Sequence, residues 1–119
     1  MDPDQANYRP LLIDGAVIGA RCERCGYAVS PPTARCPSCG GPMIQGVRHA
    51  STGRVWSSTV IRIPVGQRVP PIGYAYIDLD DGPRVLSLFR GAAPLAVGSA
   101  VELSHDGKDL VANPIEEQP

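Results

Sequence analysis

The sequence predicts an all-β chain in two parts: a short N-terminal module held together by a cross-link, and a small five-stranded barrel. Three observations carry this expectation. Gly and Pro number 13 each among 119 residues, a composition that favours turns and short strands over long helices. All four cysteines fall between residues 22 and 39, as two Cys-x-x-Cys pairs among prolines. From residue 50 onward, short runs rich in β-branched residues alternate with turn signals.

Taken in order, residues 1–15 form a polar leader, in which Asp2 or Asp4 can cap a short helix through Tyr8. Asp14-Gly15 lies between Leu11–Ile13 and Ala16–Ile18 and supports two readings: a hairpin turn, or the end of the leader. Residues 16–46 make up the cysteine module, where neither helical nor strand periodicity persists and order must come from a bound ion or a bridge. Residues 47–115 make up the barrel. Arg54–Ile63 places Val55, Ser57, Thr59, Ile61 and Ile63 on one face. Ile72–Leu79 places Ala75, Ile77 and Leu79 on one face and Tyr74, Tyr76 and Asp78 on the other. Arg84–Phe89, Ala100–Leu103 and Asp109–Ala112 complete the set, with turns at Asp81-Gly82 and Asp106-Gly107. Pro94 limits the 90–99 loop to one short helical turn, and residues 116–119 are expected to be a mobile tail.

Eleven positive and 12 negative side chains leave a formal net charge of -1. That balance argues against a protein whose main task is to coat nucleic acid. The longest uncharged stretch, Cys36 to Val47, is short and broken by Gly and Pro, whereas a spanning helix needs about 20 apolar residues. The acidic start at Asp2 and Asp4 is unlike a secretory signal. A cytoplasmic location follows as the expectation.

Cys22-x-x-Cys25 and Cys36-Pro37-Ser38-Cys39 are each followed by glycine, at Gly26 and Gly40. Two such tight turns suit a tetrahedral tetrathiolate site, and zinc is the expected ion. Iron fits the same four-sulfur geometry and is the lesser expectation. Disulfides require an oxidising compartment, and a redox Cys-x-x-Cys normally opens a helix in a βαβ setting. Four thiolates fill a tetrahedral shell, so the ion is expected to be structural rather than catalytic.

The two histidines, His49 and His105, have no acid or nucleophile spaced to form a triad, and solvated polar residues are the default reading. Asp78, Asp80 and Asp81 can present oxygens to a hard cation, but an outward strand residue followed by a carboxylate-capped hairpin accounts for them. Trp56, Tyr74 and Tyr76 suit a stacking platform for single-stranded nucleic acid, a barrel wall or a protein interface.

The order of these features resembles the acyl-CoA-associated family in which a rubredoxin-like zinc ribbon precedes an OB-fold barrel (domain of unknown function thirty-five). The matching segments are RCERCG at 21–26, PP at 31–32, CPSCG at 36–40, TGRVWSSTVIR at 52–62, PIGYAYIDLDDGPRVL at 71–86 and LAVGSAVEL at 95–103. Thr33, Ala34 and Arg35 stand where the family often carries an aromatic and Arg, and the N-terminal helix of some members is reduced here. The resemblance implies a non-catalytic accessory subunit that binds and stabilises a thiolase-fold acyl-CoA enzyme and can border its acyl-CoA channel. It implies one structural zinc on Cys22, Cys25, Cys36 and Cys39, and a barrel face with Trp56, Arg62, Tyr74, Tyr76 and Arg84 toward the partner or CoA. The alternative from a different class is a zinc-ribbon/OB-fold nucleic-acid binder.

Overall fold

A computed structural model describes residues 11–64, 66 and 69–115 of the chain. The helix expected through Tyr8 and the tail at 116–119 lie outside these residues. The described residues hold nine strands in two sheets.

The first sheet is built on β2 (Ala16–Cys22). Its one edge is shared by β1 (Leu11–Ile13) and the two-residue β3 (Ala28–Val29), and the other is covered by β4 (Ile44–His49) from Val17 to Cys22. Of the two readings of Asp14-Gly15, the hairpin is realised. Asp14 at φ 51° and Gly15 at φ 77° both take the left-handed conformation that a tight two-residue turn requires. Leu11–Ile13, assigned to the leader from sequence, therefore form the edge strand β1.

β5 (Thr52–Ile61), β6 (Ile72–Leu79), β7 (Arg84–Phe89), β8 (Ala100–His105) and β9 (Leu110–Pro114) close a barrel in the order β5-β6-β7-β9-β8. β5, β6 and β7 form an antiparallel meander, β9 meets β7 in parallel, and β8 returns to pair with the start of β5. This five-stranded closure is the OB arrangement. The expected turns fall at Asp81-Gly82 and Asp106-Gly107, and the 90–99 loop contains no helix. That loop instead lies along β5, with the Gly98 N–H donating to Val55 O at 2.8 Å and the Val55 N–H to Ser99 O at 3.0 Å.

β5 departs from the simple alternation expected of it. A bulge between Val55 and Ser57 leaves Trp56 outside the ladder and reverses the faces beyond it. Val55 points into the core, but on the far side of the bulge Ser58 opposes Ala75 and Val60 opposes Gly73, and Val60 packs on the core. Ser57 and Thr59 consequently lie opposite the outward Tyr76 and Tyr74, and Ile63, expected on the inner face, is 69% exposed beyond the strand.

The two parts share one core. Val17, on β2, is fully buried in the same cluster as Val55, Ile77, Val85, Val101 and Leu110 of the barrel, and Leu12 packs against that cluster. β4 carries across the 46/47 boundary expected from sequence, and only two residues separate it from β5. Close backbone approach is built in at Gly53, where a Cβ would stand 2.3 Å from Asp78 O.

Candidate metal centre

The cysteines lie on two near-equivalent turns. At the first, the Gly26 N–H donates to Cys22 O at 2.8 Å and the Cys22 N–H to Tyr27 O at 2.9 Å. At the second, the Gly40 N–H donates to Cys36 O at 2.8 Å and the Cys36 N–H to Gly41 O at 2.9 Å. Gly26 and Gly40 supply the positive φ, 81° and 74°, that closes each turn. The equivalence extends to an arginine before each pair. Arg21 Nη1 donates to Gly26 O at 2.8 Å, and Arg35 Nη1 donates to Gly40 O at 3.1 Å. The motif Arg-Cys-x-x-Cys-Gly is thus present twice in the sequence, at 21–26 and 35–40, a repeat that a reading confined to the cysteines misses.

The four sulfur atoms all lie within 4.8 Å of one another. Cys22 and Cys39 Sγ are 3.7 Å apart, and Cys25 and Cys36 Sγ are 3.5 Å apart. A tetrahedral tetrathiolate with metal–sulfur bonds of about 2.3 Å places its sulfurs about 3.8 Å apart. The donor set and its spacing therefore fit a single four-coordinate ion. Cys22 and Cys36 are buried, while Cys25 and Cys39 face solvent.

Backbone amides prepare the buried pair as thiolates. The Cys25 N–H, assisted by Arg24 and opposed by burial, lowers the Cys22 thiol. The Cys39 N–H, opposed by burial and assisted by Ser38, draws Cys36 down to about 7; these two amides lie 3.5 and 3.4 Å from its sulfur. The Tyr27 amide pulls Cys25 in the same direction, but Cys36, burial and the other two sulfurs outweigh it and push Cys25 up to about 12. Bringing four sulfurs together without a cation thus strands a proton on Cys25, and a bound cation removes the cause.

The aromatic and arginine residues singled out from sequence divide into two places. Trp56, Tyr76 and Arg84 meet on the outer face of β5-β6-β7. The Trp56 and Tyr76 rings are edge to face with centroids 6.1 Å apart, and the Arg84 guanidinium lies 3.7 Å over the Trp56 ring. Arg84 also grips Asp78 in a two-pronged ion pair, Nε–Oδ1 at 2.6 Å and Nη2–Oδ2 at 3.1 Å. That carboxylate raises the Arg84 pKa, and the guanidinium charge is already matched within the chain. Tyr74, half-buried, lines a dimple of about 100 Å³ with Tyr76 and Leu86. Trp56, Tyr76 and Leu86 are 49, 44 and 43% exposed, a larger apolar surface than the sequence pattern singled out, because Leu86 was read only as part of a strand. Arg62 stands apart, beyond the end of β5, where Nη2 donates to Ala92 O at 2.7 Å.

His49 is a correction. Expected in solvent, it is 1% exposed, with Nδ1 3.3 Å from Asp81 Oδ2. The same oxygen accepts the Ala50 N–H at 3.2 Å. The other ring nitrogen, Nε2, is buried against Gly19, where a Cβ would come within 2.6 Å of it. An Asp–His pair whose free nitrogen is walled in reaches no substrate, so its part is to join the sheet to the barrel. His105 is half-buried and accepts the Gly107 N–H at 3.0 Å within its hairpin. The three aspartates do not converge on a cation: Asp78 pairs with Arg84, Asp80 accepts the Thr52 hydroxyl, and Asp81 accepts from β4 and the residue after it.

Comparison with known proteins places this geometry. Residues 14–43 match the rubredoxin-like zinc ribbon domain of ChsH2, and residues 46–106 match the ChsH2 C-terminal OB-fold domain. The chain is 28% identical over 126 aligned positions to the benzoylsuccinyl-CoA thiolase subunit BbsA of Thauera aromatica, covering 92% of this chain and 87% of that protein. It is 28% identical over 89 positions to a DUF35 domain-containing scaffold protein of Pyrococcus furiosus, covering 73% of this chain and 65% of the relative. Among solved structures it is similar to the Ltp2-ChsH2(DUF35) aldolase, with a TM-score of 0.68, 28% identity, and 83 and 84% of the two chains covered. A DUF35 protein of unknown function from Sulfolobus solfataricus shares the fold at a TM-score of 0.64 and 21% identity, over 82 and 75% of the two chains. With both modules matched in the same order and the barrel model alone covering half of the chain, this protein belongs to the ChsH2-type DUF35 family, a rubredoxin-like zinc ribbon followed by an OB-fold.

Proposed function

We propose that this chain is a non-catalytic accessory subunit that binds and stabilises a thiolase-fold acyl-CoA enzyme, with one structural zinc on Cys22, Cys25, Cys36 and Cys39. The observation that carries the reading is the similarity to a thiolase subunit over 92% of the chain. The side-chain chemistry agrees with it. The sulfur site is a closed donor set with no position for a substrate. The described Asp–His pair is sealed at its free nitrogen.

The contact surface is the outer face carrying Trp56, Tyr76, Leu86 and Arg84, with Tyr74 in the adjoining dimple. Exposed aromatics beside an arginine are typical of interface cores. Asp78 neutralises Arg84, so this face favours a protein surface over the phosphates of CoA or nucleic acid. Arg62, apart from that face and bonded through Nη2 to Ala92 O, is the residue of this set that we assign to the border of an acyl-CoA channel. Zinc is favoured over iron because the matched module is a zinc ribbon.

The test is a tagged pull-down from a native cell extract, with nuclease, read by mass spectrometry. A stoichiometric thiolase-fold protein is expected, and it should be lost when Trp56 and Arg84 are both replaced by alanine. Cys36→Ser should lose both metal and solubility. Retention of nucleic acid in place of a protein, with salt-sensitive binding, would support the nucleic-acid reading instead.

A further inference from the structure

The two cysteine turns are near-equivalent in sequence and hydrogen bonding, but they differ in what their arginines do. Arg35 donates to its own turn at Gly40 O. Arg21 donates to its own turn through Nη1 and, through Nη2, to Asp81 O at 2.7 Å in the β6–β7 turn of the barrel. Gly82, the next residue, lies against the same guanidinium and Ala28, with a site for Cβ 3.5 Å from each. One side chain thus holds the carbonyl that closes the first metal turn and the carbonyl at the tip of a barrel hairpin.

That hairpin leads directly to the outer face. Asp78 and Arg84 flank it as cross-strand partners, and Arg84 carries the ion pair to Asp78 and the stack on Trp56. At the other end of the first sheet, His49 and the Ala50 N–H hold the Asp81 side chain, fixing the barrel end whether or not the sulfurs are loaded. The element with two states is the first cysteine turn. Its base is held on the β4 side, where Cys22 pairs with Ile44 and the Glu23 N–H donates to Met43 O at 2.8 Å, but past Glu23 it is followed by the two-residue β3, so the order of Cys25 and Gly26 depends on the ion.

We infer that Arg21 couples metal occupancy of the cysteine site to the Trp56–Arg84–Asp78 face of the barrel. When the ion leaves, Gly26 O is no longer held in place, Arg21 loses one anchor, and its grip on Asp81 O at the β6–β7 turn loosens, while His49 and the Ala50 N–H keep the Asp81 side chain. By reciprocity, whatever orders the barrel face also favours metal retention. The inference rests on the metal reading above and adds regulation to the proposed docking face.

The experiment uses the full chain loaded with cobalt(II), whose thiolate charge-transfer absorption reports the sulfur site. Trp56, the single tryptophan, reports the barrel face. A chelator is added stepwise while both signals are read, for wild type, Arg21→Met and Arg35→Met. In wild type the Trp56 emission and its quenching by acrylamide should change in step with loss of cobalt absorption. Arg35→Met should keep that response, with metal held about tenfold less tightly for loss of one charge-assisted hydrogen bond. Arg21→Met should weaken metal by a similar factor yet lose cobalt with Trp56 unchanged.

A role confined to stiffening the turns would make the two variants alike, and that outcome overturns the coupling. So does a wild-type Trp56 signal that stays constant through chelation. Absence of cobalt–thiolate absorption in wild type overturns the metal reading itself, and is recognised by a different signal. Should Arg21→Met not fold, Arg21→Lys serves in its place. One ammonium then stands for two separately aimed N–H groups, and a Trp56 response at full wild-type amplitude would again overturn the inference.

Discussion

Val17→Ala is the most direct test of whether ribbon and barrel share a core. Val17 lies on the first sheet, pairs with Leu12 and His49, and is fully buried among barrel residues. Two methyl groups leave the core, at about 0.8 kcal/mol each by transfer. The cavity they vacate adds roughly another 1 kcal/mol, since neighbouring strands relax only in part. The expected loss is therefore about 2–3 kcal/mol. With a urea dependence of about 2 kcal/mol per molar for a domain of this size, the unfolding midpoint should fall by about 1 M. The assay is urea denaturation at saturating metal, followed by Trp56 emission for the barrel and cobalt–thiolate absorption for the ribbon. Both transitions should move down together. If the ribbon transition moves while the Trp56 transition stays in place, the two parts have separate cores and the argument is wrong.

Other predictions concern the ion and the backbone. Metal uptake at pH 8 should release protons, because Cys25 at about 12 is still protonated there without metal while Cys36 at about 7 is largely ionised; calorimetry in buffers of differing ionisation enthalpy counts them. For Cys36 the sign runs toward acid. Its folded pKa lies below the reference value of 9.0, so its contribution to the metal-free fold is fully present above 9.0 and is lost as pH falls through about 7. Metal affinity should likewise fall with decreasing pH, measurable by competition with a chelator of known proton dependence. Gly53→Ala should cost about 3 kcal/mol or more, because the added Cβ meets the β6 backbone at Asp78 rather than a movable side chain; the thermal midpoint reads it.

The four-sulfur cluster was legible because its information is local. Four cysteines at fixed short spacing, each pair closed by a glycine, leave few other structures for residues 22–40. The β6 and β7 strands and the turns at Asp81-Gly82 and Asp106-Gly107 were legible for the same reason: a period of two and a turn dipeptide are written within a few residues. β5 was legible as a strand but not in its facing, since a bulge is decided by how Trp56 and the 90–99 loop fit against β6, which no alternation in β5 reveals.

The features set by tertiary contacts all join residues distant in sequence. His49 is buried because Asp81, 32 residues away, supplies a partner and Gly19 leaves room for its ring. Arg21 reaches Asp81 across 60 residues, and Val17 enters a core made by strands that begin at residue 52. From neighbours along the chain the sequence specifies the barrel strands, their turns and the atoms that can hold an ion, but not β2, β3 and β4, which fall where no periodicity persists and form by pairing along β2. It could not determine which outward residues become one face, or that ribbon and barrel are a single body. Those depend on pairing register and on burial across the sheets, which exist only once the chain has folded.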